Sequence, residues 1–202
     1  PGRGVNFPCV IIEQNSGSRI TNRWWYRIAS KVLIGFEAAK RALTNHDKIE
    51  VNGKPVRKTS SKLAEKQSIA ERVGLNVLII GGSLGARPFN QQLPEILANI
   101  DNVSIRHQSG KGNSDDVVYR YSQHGLTNVD VVDFIEDMGE AYQWADIVIC
   151  RAGAITVTEI SLAGIAAIFV PLTHAVDDPQ TANAKSVSLT TPPDENGQAR
   201  AH

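Results

Sequence analysis

Asn76-Val77-Leu78-Ile79-Ile80-Gly81-Gly82-Ser83-Leu84-Gly85 is the stretch on which the architecture turns. Its apolar residues run on without alternation, as in a strand buried on both faces, and its glycines then turn the chain into the next element. A helical segment follows, with Phe89, Leu93, Ile96, Leu97 and Ile100 spaced for one face and Pro94 predicted to divide it.

Downstream the pattern repeats. Val103 to His107 reads as a strand, Asp115 to His124 as a helix, Val129 to Phe134 as a strand and Met138 to Trp144 as a helix. Ile147 to Cys150, Thr156 to Ala163 and Ala167 to Val170 continue as strand, helix and strand. Strands that alternate with helices and are apolar along their whole length predict an α/β fold, a parallel sheet covered on both faces in the Rossmann-like manner.

Upstream, Pro8-Cys9-Val10-Ile11-Ile12 reads as a buried strand, Glu13 to Gly17 as a loop, Thr21 to Ser30 as a helix and Val32 to Gly35 as a further strand. The chain turns polar between residues 44 and 74, with a turn at Asn52-Gly53-Lys54-Pro55, and reads there as a linker. The expected organisation is a remnant of one domain over residues 1–43, a linker over 44–74, a Rossmann-like domain over 75–188 and a polar tail over 189–202. The sequence opens on Pro1 rather than Met, and its tail is too polar and turn-rich to close such a domain, so both ends read as cut.

Composition excludes several classes. Lys+Arg and Asp+Glu each number 21 in 202 residues, so there is no basic footprint for nucleic acid. Cys9 and Cys150 are too far apart for a metal or redox motif and fit a reducing compartment. No apolar run approaches the roughly 20 residues that span a bilayer, and Pro1 to Gly4 lacks the features of a signal peptide.

In open α/β sheets ligands bind beyond the carboxyl ends of the strands, so the loops there carry the candidates. Gly81 to Ala86 would let backbone amides approach a diphosphate, yet it is neither GxxxxGK[ST] nor a full GxGxxG, and a tight turn without ligand explains it as well. Arg151 to Glu159 is another glycine-containing turn. Thr156 and Glu159 have the spacing of a capping box, the reading that spacing favours, and Glu159 alternatively pairs with the hydroxyls of a ribose. At Phe134 to Met138 the backbone would read a base edge, or Asp137 would cap a helix with Glu140 three residues on. His174, Asp177, Asp178, Gln180 and Asn183 form a polar cluster that would bind sugar hydroxyls or cap a helix near Asp178; its spacing suggests no metal, and nothing calls for a cofactor.

Taken in order, these segments resemble the C-terminal half of the MurG family of glycosyltransferases. The match rests on Gly81 to Arg87, His107-Gln108-Ser109-Gly110, Phe134 to Met138, Ala145-Asp146, Arg151 to Glu159, and Val170-Pro171 through Gln180 to Ala184. Glu13-Gln14-Asn15 and Thr21 to Trp24 look like the end of the family's N-terminal domain, and Pro55-Val56-Arg57 like its linker. The resemblance extends from about Val10 to Lys185.

It implies a GT-B glycosyltransferase of peptidoglycan synthesis, with two Rossmann-like domains, that needs no metal. Such an enzyme transfers N-acetylglucosamine with inversion from UDP-N-acetylglucosamine to undecaprenyl-diphospho-muramyl-pentapeptide. By resemblance Gly82 and Ser83 contact the diphosphate, Arg57 adds charge there, Ile135 meets uracil through its backbone, Glu159 holds the ribose and Gln180 the sugar. Asn15, Arg151 and Thr156 complete the donor-binding set. The proposed base belongs to N-terminal glycine-rich loops that precede Pro1, so no catalytic residue is assigned and the chain is expected to bind donor without turning it over. Two departures stand out: Lys54 occupies a position where the family usually has Asn, and Pro179 interrupts the polar stretch beside Gln180.

A lipid-linked acceptor implies a peripheral enzyme on the cytoplasmic face of the bacterial inner membrane. Trp24 and Trp25 among Arg19, Arg23, Arg27 and Lys31 would rest on its anionic lipid, or would simply pack on their own domain. Two other functions fit the residues: a free-standing donor-binding subunit that needs a partner, which Val10 to Ile34 argues against, and a nucleotide-binding module without transfer activity.

Overall fold

The computed structural model describes residues 8–15, 20–36, 39–40, 43, 46–52, 74–82, 86–172 and 179–188. They fall into two compact units: one takes the chain up to residue 56 with Ala152–Thr158 and the stretch from Pro171, the other takes Arg57–Arg151 with Glu159–Val170.

In the first unit β1 (Val10–Glu13), β2 (Lys31–Ile34) and β3 (Ile49–Val51) form a parallel sheet in that order, and α1 (Ile20–Trp25) connects its first two strands. Tyr26, Ala29, Val32, Ile34, Leu43 and Ile49 make its core. Lys48 helps to close it by donating from Nζ to the carbonyls of Tyr26 and Ala29 at 3.2 and 3.1 Å. Several expectations are corrected here. β1 is not buried on both faces, since Val10 and Ile12 are exposed at the sheet's edge. The helix stops at Trp25, and Trp24 stands outside the core at 73% exposure. Ile49–Val51 lies inside the stretch read as linker, yet it is an ordered strand paired with β2.

The second unit is built from β4 (Leu75–Ile80), α2 (Arg87–Leu97), β5 (Val103–Gln108), α3 (Ser114–Gln123), β6 (Val129–Val132), α4 (Met138–Trp144), β7 (Ile147–Cys150) and β8 (Ala166–Phe169). α5 (Ala154–Ala163) enters it from Glu159 onward, and α6 (Pro179–Ser188) lies in the first unit. The five strands are parallel and ordered β6-β5-β4-β7-β8. Successive residues of β4 point to opposite faces, and each face has its own core. Val77 and Ile79 pack with Phe89, Leu93, Val117 and Tyr121 of α2 and α3, while Leu78 and Ile80 pack with Ala141, Tyr142 and Ile160 of α4 and α5. The two-faced parallel sheet read from the sequence is therefore present.

Asp146 fixes the β4–β7 register. Its Oδ2 accepts from the Asn76 N–H at 2.9 Å, and its own N–H returns a bond of 2.8 Å to the Asn76 carbonyl.

Two details of α2 differ from expectation. Pro94 does not divide the helix, which runs unbroken from Arg87 to Leu97. The proline forfeits the one bond its N–H would give to the Asn90 carbonyl, but its buried ring contributes to the packed face and the Ala98 N–H still reaches the Pro94 carbonyl at 3.3 Å. The buried face is Phe89, Asn90, Leu93, Pro94 and Leu97, rotated away from Ile96, and Ile100 lies past the helix end; both isoleucines are exposed.

This burial predicts unequal costs for similar truncations. Leu78→Ala, in a side chain fully removed from solvent, should lower stability in urea by about 3 kcal/mol, and Ile96→Ala by less than about 1 kcal/mol. Equal losses at the two positions would contradict the packing.

Candidate functional site

Because all strands of the second unit run the same way, the loops that follow β4, β5, β6, β7 and β8 share one edge of its sheet. The chain leaves β4 toward β5 and β6 on one side, then crosses back to β7 and β8 on the other. The topological switch point thus lies between β4 and β7, where sheets of this kind bind ligands. Gly82 follows β4 and Arg151 follows β7, so the two flank that switch.

Gly82 adopts φ +83°, a left-handed conformation open to glycine, and a Cβ there would meet nothing within 4 Å. Its carbonyl accepts from Nε2 of Gln108, a buried side chain at the end of β5, at 3.2 Å. Arg151 donates from Nη1 to the Val170 carbonyl at 3.0 Å, and its guanidinium lies 4.9 Å from the centre of the Phe89 ring. These two contacts hold a cation beside the switch point.

Ile135 is half-buried after β6 and packs against the core on the α4 side. The segment around it is fixed by Asp137, whose Oδ1 accepts from the Glu140 N–H at 3.0 Å as the N-cap of α4. Glu140 does not return the bond; it pairs with Arg106 at 2.8 Å. Helix capping accounts for Asp137, as the spacing allowed.

At Thr156 and Glu159 the capping-box reading is corrected. α5 begins two residues before Thr156, with the Val157 N–H bonded to the Gly153 carbonyl at 2.9 Å, so Thr156 lies inside the helix and cannot be its N-cap. Glu159 is instead 6% exposed, and its Oε2 accepts from the Tyr142 hydroxyl of α4 at 3.0 Å. The carboxylate is thus held across to α4 rather than bonded to a backbone amide of its own helix.

In the first unit, Gln180 accepts through Oε1 from the Leu172 N–H at 3.0 Å. Pro179 is the first residue of α6, where the absence of an N–H costs nothing, so it starts a helix instead of breaking one. Asn183, grouped with Gln180 as a sugar ligand, is fully buried; it donates to the Ala152 carbonyl at 3.1 Å and to Asn15 Oδ1 at 3.3 Å. Asn15 in turn donates from its N–H and Nδ2 to Glu13 Oε1 at 2.9 and 3.1 Å, and Glu13 Oε2 accepts from Asn22 at 2.8 Å. Asn15 is thereby oriented by a buried carboxylate that sequence reasoning did not single out. Arg57, Lys54, Ser83, His174, Asp177 and Asp178 lie outside the described residues. Among the described residues no group of three His, Cys, Asp or Glu side chains is placed to hold a metal ion, and no helix is long and apolar enough to cross a membrane.

The model of the glycosyltransferase family 28 C-terminal domain matches residues 76–190. The chain belongs to glycosyltransferase family 28. Its relatives include the UDP-N-acetylglucosamine--N-acetylmuramyl-(pentapeptide) pyrophosphoryl-undecaprenol N-acetylglucosamine transferase of Tolumonas auensis, 50% identical over 186 residues, which are 91% of this chain and 52% of that protein. The enzyme of the same name from Pseudoalteromonas atlantica is 46% identical over 192 residues, 89% of this chain and 50% of that protein. Among solved structures, Acinetobacter baumannii MurG is 38% identical with a TM-score of 0.77, covering 95% of this chain and 54% of that one. The family resemblance read from the motifs is borne out, and the chain spans about half the length of the curated relatives it matches.

A family 28 domain stabilised partly by buried polar groups should respond to acid. His107 has no exposure; its Nδ1 is 2.9 Å from the Tyr121 hydroxyl and its Nε2 is 3.1 Å from Asn90 Oδ1, and burial holds its pKa down at about 4. The unfolded chain, with a pKa near 6.5, takes up the proton first, so stability should fall as pH drops from about 6.5 to about 4, by about 3 kcal/mol. Urea titrations across that window should show the slope for the unsubstituted chain and a flatter one for His107→Gln; equal slopes would reject the assignment.

Proposed function

We propose that this chain forms the donor-binding part of an inverting N-acetylglucosaminyltransferase of peptidoglycan synthesis. The reaction moves N-acetylglucosamine from UDP-N-acetylglucosamine to undecaprenyl-diphospho-muramyl-pentapeptide, without a metal. The observation that carries the proposal is the coincidence of the family 28 match, residues 76–190, with a switch-point edge that brings a glycine turn, a held arginine and a buried carboxylate into one parallel-sheet unit.

Each residue then has a task suited to its chemistry. Gly82 and Ser83 bring backbone amides to the diphosphate, Arg151 supplies a fixed positive charge and Arg57 a further one as the UDP leaving group gains its negative charge. Ile135 offers its backbone to uracil. Glu159, with Oε2 already oriented by Tyr142, takes the ribose hydroxyls. Gln180 uses its amide NH2 on the sugar, its oxygen being engaged by Leu172, and Asn15 and Thr156 complete the donor set. In this reading residues 1–43 are a remnant of the acceptor-side domain, residues 44–74 are the link, residues 75–188 bind the donor, and 189–202 form a polar tail.

The lipid-linked acceptor places the enzyme on the cytoplasmic face of the inner membrane as a peripheral protein. The support is local: Trp24 is 73% exposed, Trp25 is also exposed, and the Arg27 guanidinium is 5.9 Å from the Trp24 ring centre. Such an aromatic and basic patch suits anionic lipid headgroups, although Lys31 gives its charge to Glu50 at 2.6 Å.

Two measurements test the proposal. Calorimetry should show binding of UDP and UDP-N-acetylglucosamine, and Glu159→Gln should weaken UDP and uridine alike by about tenfold, the worth of a charge-assisted hydrogen bond; tight binding of NAD or ATP with no response to UDP would overturn the reading. In flotation with liposomes rich in phosphatidylglycerol, the doubly substituted Trp24→Ala, Trp25→Ala chain should stay at the bottom of the gradient, and unchanged flotation would remove the membrane role.

A further inference from the structure

The motif His107-Gln108-Ser109 has no task in the donor set, yet its three residues are all buried at the carboxyl end of β5, beside the strand that carries the glycine turn. Buried polar side chains at the end of a strand need partners, and those found here are informative. Gln108 Nε2 donates to the Gly82 carbonyl at 3.2 Å, before the turn. After the turn, Asn90 in α2 is held twice: its Nδ2 donates to the Ser109 carbonyl at 2.9 Å, and its Oδ1 is 3.1 Å from His107 Nε2. The end of β5 thus grips the glycine turn on both its flanks.

We propose that Gln108 is a positioning residue for the diphosphate of a nucleoside diphosphate donor, acting through the Gly82 carbonyl. The inference rests on the donor-site reading above. A carbonyl oxygen is an acceptor and repels a phosphate that approaches it, and the Gly82 carbonyl is drawn to the β5 side and engaged there by the Gln108 amide. Gly82 at φ +83° has no side chain to fix that carbonyl, and the amide of Gln108 supplies a constraint from β5. His107 and Ser109 do the same for the helix that follows, and the three act as one brace.

The test separates a positioning role from a structural one by comparing UDP with uridine, which lacks the diphosphate. In the full chain, Gln108→Leu should weaken UDP about fivefold to tenfold, the effect of one lost hydrogen bond, and leave uridine, measured by competition, within twofold of the unsubstituted chain. Gln108→Glu covers the case in which the leucine variant does not fold. Relative to the unsubstituted chain it should lose UDP affinity at pH 7.5, where its carboxylate has no hydrogen to give, and regain affinity near pH 5, where a protonated carboxyl donates as the amide did. If UDP binds the unsubstituted chain and both variants equally, or if UDP and uridine fall together in each, the positioning role is wrong while the donor site stands. If the unsubstituted chain binds no UDP, the donor-site reading fails and takes this one with it.

Discussion

Everything at the candidate site depends on the parallel direction of five strands. A parallel strand can be reached only by a crossover, and each crossover brings its loop to the same end of the sheet. Chemistry therefore accumulates at one edge, while the opposite edge has only to start strands in register, as the Asn76–Asp146 pair does. Burial of both faces fixes the register: alternate residues of β4 feed two separate cores, so the strand cannot be shifted by one residue without exchanging them.

That constraint creates a second one at the site edge. Backbone that leaves a buried strand carries N–H and C=O groups into partly dry surroundings, and each must be paired. In this unit the pairing comes largely from neighbouring strand ends. Gln108 serves Gly82, Arg151 serves Val170, and the Asp133 carboxylate accepts from the Gly112 N–H at 2.9 Å, a bond that holds its pKa below the ordinary carboxylate range. Groups that satisfy the protein's own backbone thus help to shape the loops at this edge.

The sequence showed most where the physics is local. An unbroken apolar run specifies β4, and Asp137 three residues before Glu140 specifies a cap that is there in the structure. It misled where a local rule competes with tertiary packing. Pro94 is a helix breaker by chemistry, but its ring fills the buried face of α2, and Thr156 with Glu159 has the spacing of a cap although the chain already turns into helix at Gly153. It was silent where partners are distant in the chain. Nothing in the spacing joins Asn15 to Asn183, or Gln108 to Gly82, because those pairs exist only after the strands have been ordered.

Buried polar residues divide accordingly into two kinds. His107, between Tyr121 and Asn90, is neutral at ordinary pH and is satisfied at both ring nitrogens, so it belongs to the frame. Glu159 is nearly as buried, yet a carboxylate has more acceptor positions than the single hydroxyl of Tyr142 can fill. Keeping an acid in such surroundings is costly unless its charge meets further donors. Under the proposed function those donors are the two adjacent hydroxyls of a ribose, a number and spacing that a carboxylate matches. On that proposal the frame residue answers to two neighbours inside the fold, whereas the acid answers to a ligand as well.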